Sequence, residues 1–109
     1  MNFNRFLPLT ETTFYIMLSL LEPLHGYAVM QKVEELSDLK VRIAAGTLYG
    51  ALQSLTKKKF VDELPSTDPR RRIYVLSPEG RELLRLEVER LKHMVELAKR
   101  LAAQKGETL

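Results

Sequence analysis

The sequence predicts a mainly α-helical chain with one small β-hairpin, closing in a long helix. Three observations predict it. Apolar residues recur at helical spacing from Thr10 to Leu21, from Tyr27 to Leu36 and from Ala45 to Lys58. Two short β-type runs, Phe60 to Leu64 and Arg72 to Leu76, flank a turn-rich tip rich in proline, serine, aspartate and arginine. Ser77-Pro78-Glu79 then combines a capping serine, a proline suited to the first helical position and an early acid.

The first helix starts at Thr10, with Thr13 as a second capping candidate, and stops before Pro23. Phe14, Met17, Leu18 and Leu21 fall at helical spacing within it. His25-Gly26-Tyr27 opens the second helix, whose expected buried stripe is Tyr27, Met30, Val33 and Leu36. Ser37-Asp38 closes it, and Val41-Arg42-Ile43 reads as a short β-type triplet. The third helix has Leu48, Leu52 and Leu55 as its buried line. Its opposite side carries Thr47, Gly50, Gln53 and Ser54, small and uncharged until Lys57. The final helix runs to about Ala103, roughly 26 residues and ~39 Å. Gly106 ends the ordered part.

At 109 residues and 12.6 kDa the chain holds one domain, or a small domain with an oligomerising arm. The absence of cysteine excludes disulfides, thiolate metal sites and cysteine nucleophiles. His25 and His93 are too far apart in sequence to suggest a metal site. No cluster of acid, base and nucleophile points to an enzyme, and no cofactor is expected. The run Phe14 to Leu21 is too short to span a bilayer, and no secretion signal is evident, so a cytoplasmic location without membrane contact is expected.

The net charge of +3 is unevenly spread. Residues 40 to 81 carry nine basic and four acidic residues, whereas residues 1 to 39 are net acidic. The basic segment coincides with the third helix and the hairpin, where a nucleic-acid face would explain it.

Three helices followed by a two-stranded hairpin form the winged helix-turn-helix plan. In that plan the third helix enters the DNA major groove and the hairpin meets the backbone. Thr47, Gln53 and Ser54 are the candidates to touch bases, and Tyr49 and Gly50 lie beside them. Lys57, Lys58, Arg70, Arg71 and Arg72 are the candidates for phosphate.

Gly46-Thr47-Leu48-Tyr49-Gly50-Ala51-Leu52 resembles the recognition-helix signature of PadR-type transcriptional regulators. His25-Gly26-Tyr27 and the run Arg71-Arg72-Ile73-Tyr74-Val75-Leu76-Ser77-Pro78-Glu79-Gly80 resemble that family as well. The resemblance covers about residues 7 to 85 and implies a DNA-binding regulator. The long last helix looks like the short-tailed branch, with one dimerising helix after the wing. Where the family has glycine before the first wing strand, this chain has Lys59, at a position suited to a left-handed residue. The resemblance also implies a small-molecule effector of unidentified chemistry. This chain has no tryptophan on which such a molecule could stack. Phe14, Tyr15 and Met94 could line a replacement pocket, with core packing as the competing reading.

His25 reads as a capping or packing residue, and Tyr27 and Tyr74 as core aromatics. Gly46 and Gly50 suggest close approach to DNA or to a neighbouring helix. The last helix carries two apolar stripes. From these, Leu84, Val88, Leu91, Met94, Val95, Ala98 and Leu101 are expected to pack against a second copy. The expected division is residues 1 to 76 for DNA binding and 77 to 109 for dimerisation. The sequence thus favours a homodimeric regulator that binds double-stranded DNA, a repressor on a pseudo-palindromic promoter site. The alternative is a winged-helix adaptor with no DNA contact.

Overall fold

The structure, a computed structural model, describes residues 2–109. A 3₁₀ turn over Phe3–Phe6 precedes α1 (Glu11–Ser19), β1 (Leu24–His25), α2 (Gly26–Leu36) and α3 (Ala45–Lys57). Then come β2 (Val61–Leu64), β3 (Ile73–Leu76) and α4 (Pro78–Gln104). The three strands form one antiparallel sheet in the order β1-β3-β2. This is the mainly helical winged plan expected from the sequence, with one strand added.

That strand, β1, is two residues long and pairs Leu24 with Tyr74 and His25 with Ile73. His25 is extended because it caps α2: its Nδ1 accepts the Ala28 N–H at 3.4 Å. Val41-Arg42-Ile43, expected as β-type, forms no strand. Val41 and Ile43 instead anchor an extended connection in the core, and the Ser37 hydroxyl accepts the Val41 N–H at 2.9 Å.

Thr10 caps α1, its hydroxyl accepting the Thr13 N–H at 3.1 Å. The helix buries Ile16, Met17 and Ser19, with Leu20 following, while Phe14 and Leu18, at helical spacing from Met17, are only half-buried against the core. Leu21 lies past the helix end and is 49% exposed. A stretch that is apolar on every side gives spacing nothing to select. Ser19 is tolerated inside because its hydroxyl donates to the Ile16 carbonyl at 2.6 Å.

In α2 the buried line is Gly26, Val29 and Val33, and Tyr27 and Leu36 face outward. Of the expected stripe, Val33 is buried and Met30 half-buried against the core, and its two ends fail for a geometric reason. Each step of three residues rotates about 60° backward, so four residues spaced by three span half the helix circumference. Tyr27 and Leu36 therefore point in opposite directions. In α3, by contrast, Leu48, Leu52 and Leu55 are buried as expected.

Two helices end alike without glycine. After α2, Asp38 (φ 52°) is left-handed, and the Leu39 N–H reaches the Glu34 carbonyl at 2.8 Å. After α3, Lys59 (φ 68°) is left-handed, and the Phe60 N–H reaches the Leu55 carbonyl at 2.9 Å. After α4 the same position is Gly106 (φ 74°). Lys59→Gly is expected to stabilise the fold by up to about 1 kcal/mol, since glycine lacks the Cβ penalty. A thermal melt at fixed concentration checks this, and a fall in Tm would contradict it.

Ser77 locks the wing to α4. Its hydroxyl accepts the Gly80 N–H at 3.0 Å and donates to the Lys59 carbonyl at 2.6 Å, while its own N–H donates to the Phe60 carbonyl at 3.0 Å. Gly80, Leu83, Leu84 and Glu87 of α4 are buried, so the core continues past residue 76 into the last helix. Glu87 is 1% exposed and accepts from the Leu9 N–H at 2.6 Å and the Arg90 guanidinium at 2.5 Å. The Arg90 hydrogen bond, with help from the Leu9 N–H, holds its carboxyl below the usual carboxylate range. This bond pins the N-terminal segment, where Phe6 meets Phe60 edge-on at 5.0 Å.

Leu84 was expected in the dimer seam. Only 6% exposed, it is spent on the chain's own core. Past Glu87 much of α4 is left open: Val88, Met94, Val95 and Leu101 are 44–52% exposed. Ala98 is exposed and Leu91 half-buried. No helix among the described residues is long and apolar enough to cross a membrane.

Candidate nucleic-acid interface

The outer side of α3 faces the wing across an open groove of about 840 Å³. Tyr49, Gln53 and Lys57 line it from α3, and Arg70, Arg71 and Arg72 from the wing. These six expected site residues, scattered over 24 positions of sequence, thus share one cleft. Leu48, Leu52 and Leu55 fix the rotation of α3, which leaves Gln53 and Lys57 pointing away from the core.

Thr47 and Gly50 are exposed on α3 but do not line the groove. Ser54 and Lys58 turn to the other flank of the helix, where they line a cleft of about 200 Å³ with Phe6 and Leu9. Lys58 Nζ sits 5.9 Å from the Phe6 ring centroid. The expected reading pair Gln53 and Ser54 is thus split, because adjacent helical residues point about 100° apart.

A Cβ on Gly46 or Gly50 would meet nothing within 4 Å, so no neighbouring helix explains these glycines. The close approach lies at Gly26, where a Cβ would stand 2.6 Å from Tyr49 Cε1 and from its hydroxyl. Gly26 therefore gives the Tyr49 ring its place against α2, while half of the ring remains open.

Several groove residues escaped the sequence reading. Tyr27, expected in the core, is 62% exposed and lines the groove with His25. Tyr74 is buried as expected and also lines the groove. Burial, reinforced by Glu63, pushes the Tyr74 phenol up, with Arg72 opposing. Glu63 supplies the groove's carboxylate and lies opposite Tyr74 in the sheet register. Strand alternation places Glu63 and Arg72 near one another, a signal that the sequence carried once the hairpin register was known. Phe14 and Tyr15 pack edge-to-face at 6.3 Å against the core, as core packing requires.

A cleft with Tyr49, Gln53 and Lys57 on its helical wall and three guanidinium groups on its other wall suits a polyanion with readable edges. The comparisons with known proteins point the same way. A stretch of 65 residues, 60% of this chain, is 45% identical to an uncharacterized 37.1 kDa protein in transposon Tn4556 of Streptomyces fradiae. The chain spans 18% of that relative's length. A PadR-like transcription factor from Bacteroides fragilis has a similar structure, with TM-score 0.69 and 27% identity over 84% of this chain and 89% of that one. A PadR family regulator from Eggerthella lenta shares the fold at TM-score 0.69 and 22% identity, over 90% of this chain and 83% of that one. Residues 14–86, well over half of the chain, match the family described as the transcriptional regulator PadR-like family, and the chain belongs to that family.

Proposed function

We propose that this chain is a homodimeric, sequence-specific DNA-binding regulator that represses by occupying a pseudo-palindromic promoter site. The observation that carries the reading is the shared groove. Tyr49, Gln53 and Lys57 of α3 face Arg70, Arg71 and Arg72 of the wing across it. In this reading α3 enters the major groove, and Gln53 hydrogen-bonds base edges. The wing arginines grip phosphate, and Tyr49 offers its hydroxyl to the backbone. Thr47 and Gly50 lie on the exposed face that would approach the duplex.

Dimerisation would cover the open face of α4, where Val88, Leu91, Met94, Val95, Ala98 and Leu101 recur along one side. Two copies related by a two-fold axis would then read half-sites about 34 Å apart, or a multiple of that.

Two measurements test the reading. Selection of bound fragments from the source genome should recover a shared pseudo-palindrome upstream of a gene, released from the protein by high salt. Recovery of no common sequence would count against it. Light scattering should give about twice the chain mass of 12.6 kDa. Leu91→Arg should return the monomer mass, since a charge in the seam costs several kcal/mol of association. A wild-type monomer at micromolar concentration would contradict the dimer.

A further inference from the structure

The wing arginines are not free cations. Arg70 Nε and Arg71 Nε each lie 3.9 Å from a different carboxylate oxygen of Asp68. Arg72 Nη1 lies 3.4 Å from Glu63 Oε1. Every arginine offered to DNA by the wing therefore has an acid of the same wing beside it. Asp68 is built into this place. Its Oδ1 accepts the Arg70 N–H at 2.9 Å, its carbonyl accepts the Arg71 N–H at 3.0 Å, and its own N–H donates to Ser66 Oγ at 3.2 Å. The turn that presents the two arginines is thus the turn that seats a carboxylate between them. Glu63 is held likewise by its strand, opposite Tyr74.

We infer that Asp68 and Glu63 act as internal competitors of DNA phosphate and set how tightly the wing grips any duplex. The inference rests on the DNA-binding reading above. A phosphate that approaches one of these arginines meets a carboxylate of equal charge 3.4–3.9 Å from the guanidinium and competes with it for the same cation. The carboxylate stays within a few ångströms of the incoming phosphate and repels it. It also lowers the net positive charge with which the wing meets the duplex, so fewer cations leave the DNA on binding. Because phosphate is the same in every sequence, the cost falls alike on operator and random duplex. The two acids thereby hold overall affinity down while leaving sequence preference to α3.

The test uses the full chain with Asp68→Asn and Glu63→Gln, singly and together. Both changes keep an acceptor oxygen for the turn and for Arg72 and remove only the charge. Equilibrium titrations in potassium chloride, on the selected operator and on random duplex, should show tighter binding of the double variant, by at least about threefold on both. The plot of log affinity against log salt should steepen by up to ~0.9 for each carboxylate removed. Unchanged or weaker binding with an unchanged slope would overturn the inference. Loss of operator preference by Glu63→Gln would also overturn it, since that would make the acid a base-reading group. If Asp68→Asn disturbs the turn, Glu63→Gln alone decides, as its strand pairing is made by the backbone. A wild-type chain that binds no duplex even in low salt would instead refute the DNA-binding reading itself.

Discussion

Alanine at both Arg70 and Arg71 should weaken binding to every duplex nearly alike and flatten its salt dependence. Both side chains are long, exposed and carried on a turn, a combination that suits phosphate rather than base edges. Each phosphate contact contributes about 0.9 to the slope of log affinity against log salt, so two per subunit in a dimer could remove up to ~3.6. Gln53→Ala should behave in the opposite way. Gln53 is uncharged and exposed on the groove wall of α3. Its loss should leave the slope nearly unchanged and reduce preference for the operator by ~1–3 kcal/mol per half-site, the value of a bidentate base contact. A salt titration of both variants on operator and random duplex decides. If Gln53→Ala loses equally on both duplexes, or the arginine pair changes only preference, the division of labour between helix and wing is wrong.

Gly80→Ala should cost more stability than any other glycine substitution in α3 or α4. The first turn of α4 lies flush on the residue that leads into β2. A Cβ at Gly80 would overlap the Phe60 carbonyl oxygen and stand 2.9 Å from the Phe60 carbonyl carbon. That oxygen also accepts the Ser77 N–H, so it cannot withdraw without breaking the corner that joins wing to helix. Both colliding groups are backbone, which leaves no rotamer to relieve the clash. Overpacking of this kind costs about 3 kcal/mol. In a chain of this size that is a fall in Tm of about 12–24 °C. Gly46→Ala and Gly50→Ala are the controls. Their Cβ atoms would meet nothing, so each should gain up to about 1 kcal/mol from helix propensity. Melting curves at one protein concentration compare all three. A Gly80→Ala variant as stable as wild type would show that α4 can lift from the strand at little cost.

Much of the wing's framework could be read from local chemistry. Ser77 and Pro78 start α4 where their side chains require, and Thr10 caps α1 for the same reason. Lys59 is left-handed, as the family's glycine at this position implied, and the Phe60 N–H there reaches back to the Leu55 carbonyl. The Leu48, Leu52 and Leu55 line was legible because α3 is apolar on one side only. Once that line is buried, Gln53 and Lys57 must face out, so part of the interface was legible too.

By itself, then, the sequence determined the number and order of the major helices, the hairpin, the basic middle segment and the helix ends. Each of these depends on residues within a few positions of one another. Tertiary structure alone decided which face α1 and α2 bury, because a helix apolar all round, or one with a drifting stripe, takes its face from what packs on it. It also decided that Leu84 serves the chain's own core, that Tyr27 opens onto the groove and that Lys58 leans on Phe6. The pairing of every wing arginine with Asp68 or Glu63 belongs to the same class. The physical reason is common to them all: the partner lies on another element or across a turn. Its direction is set by register and packing, which spacing along one segment does not encode.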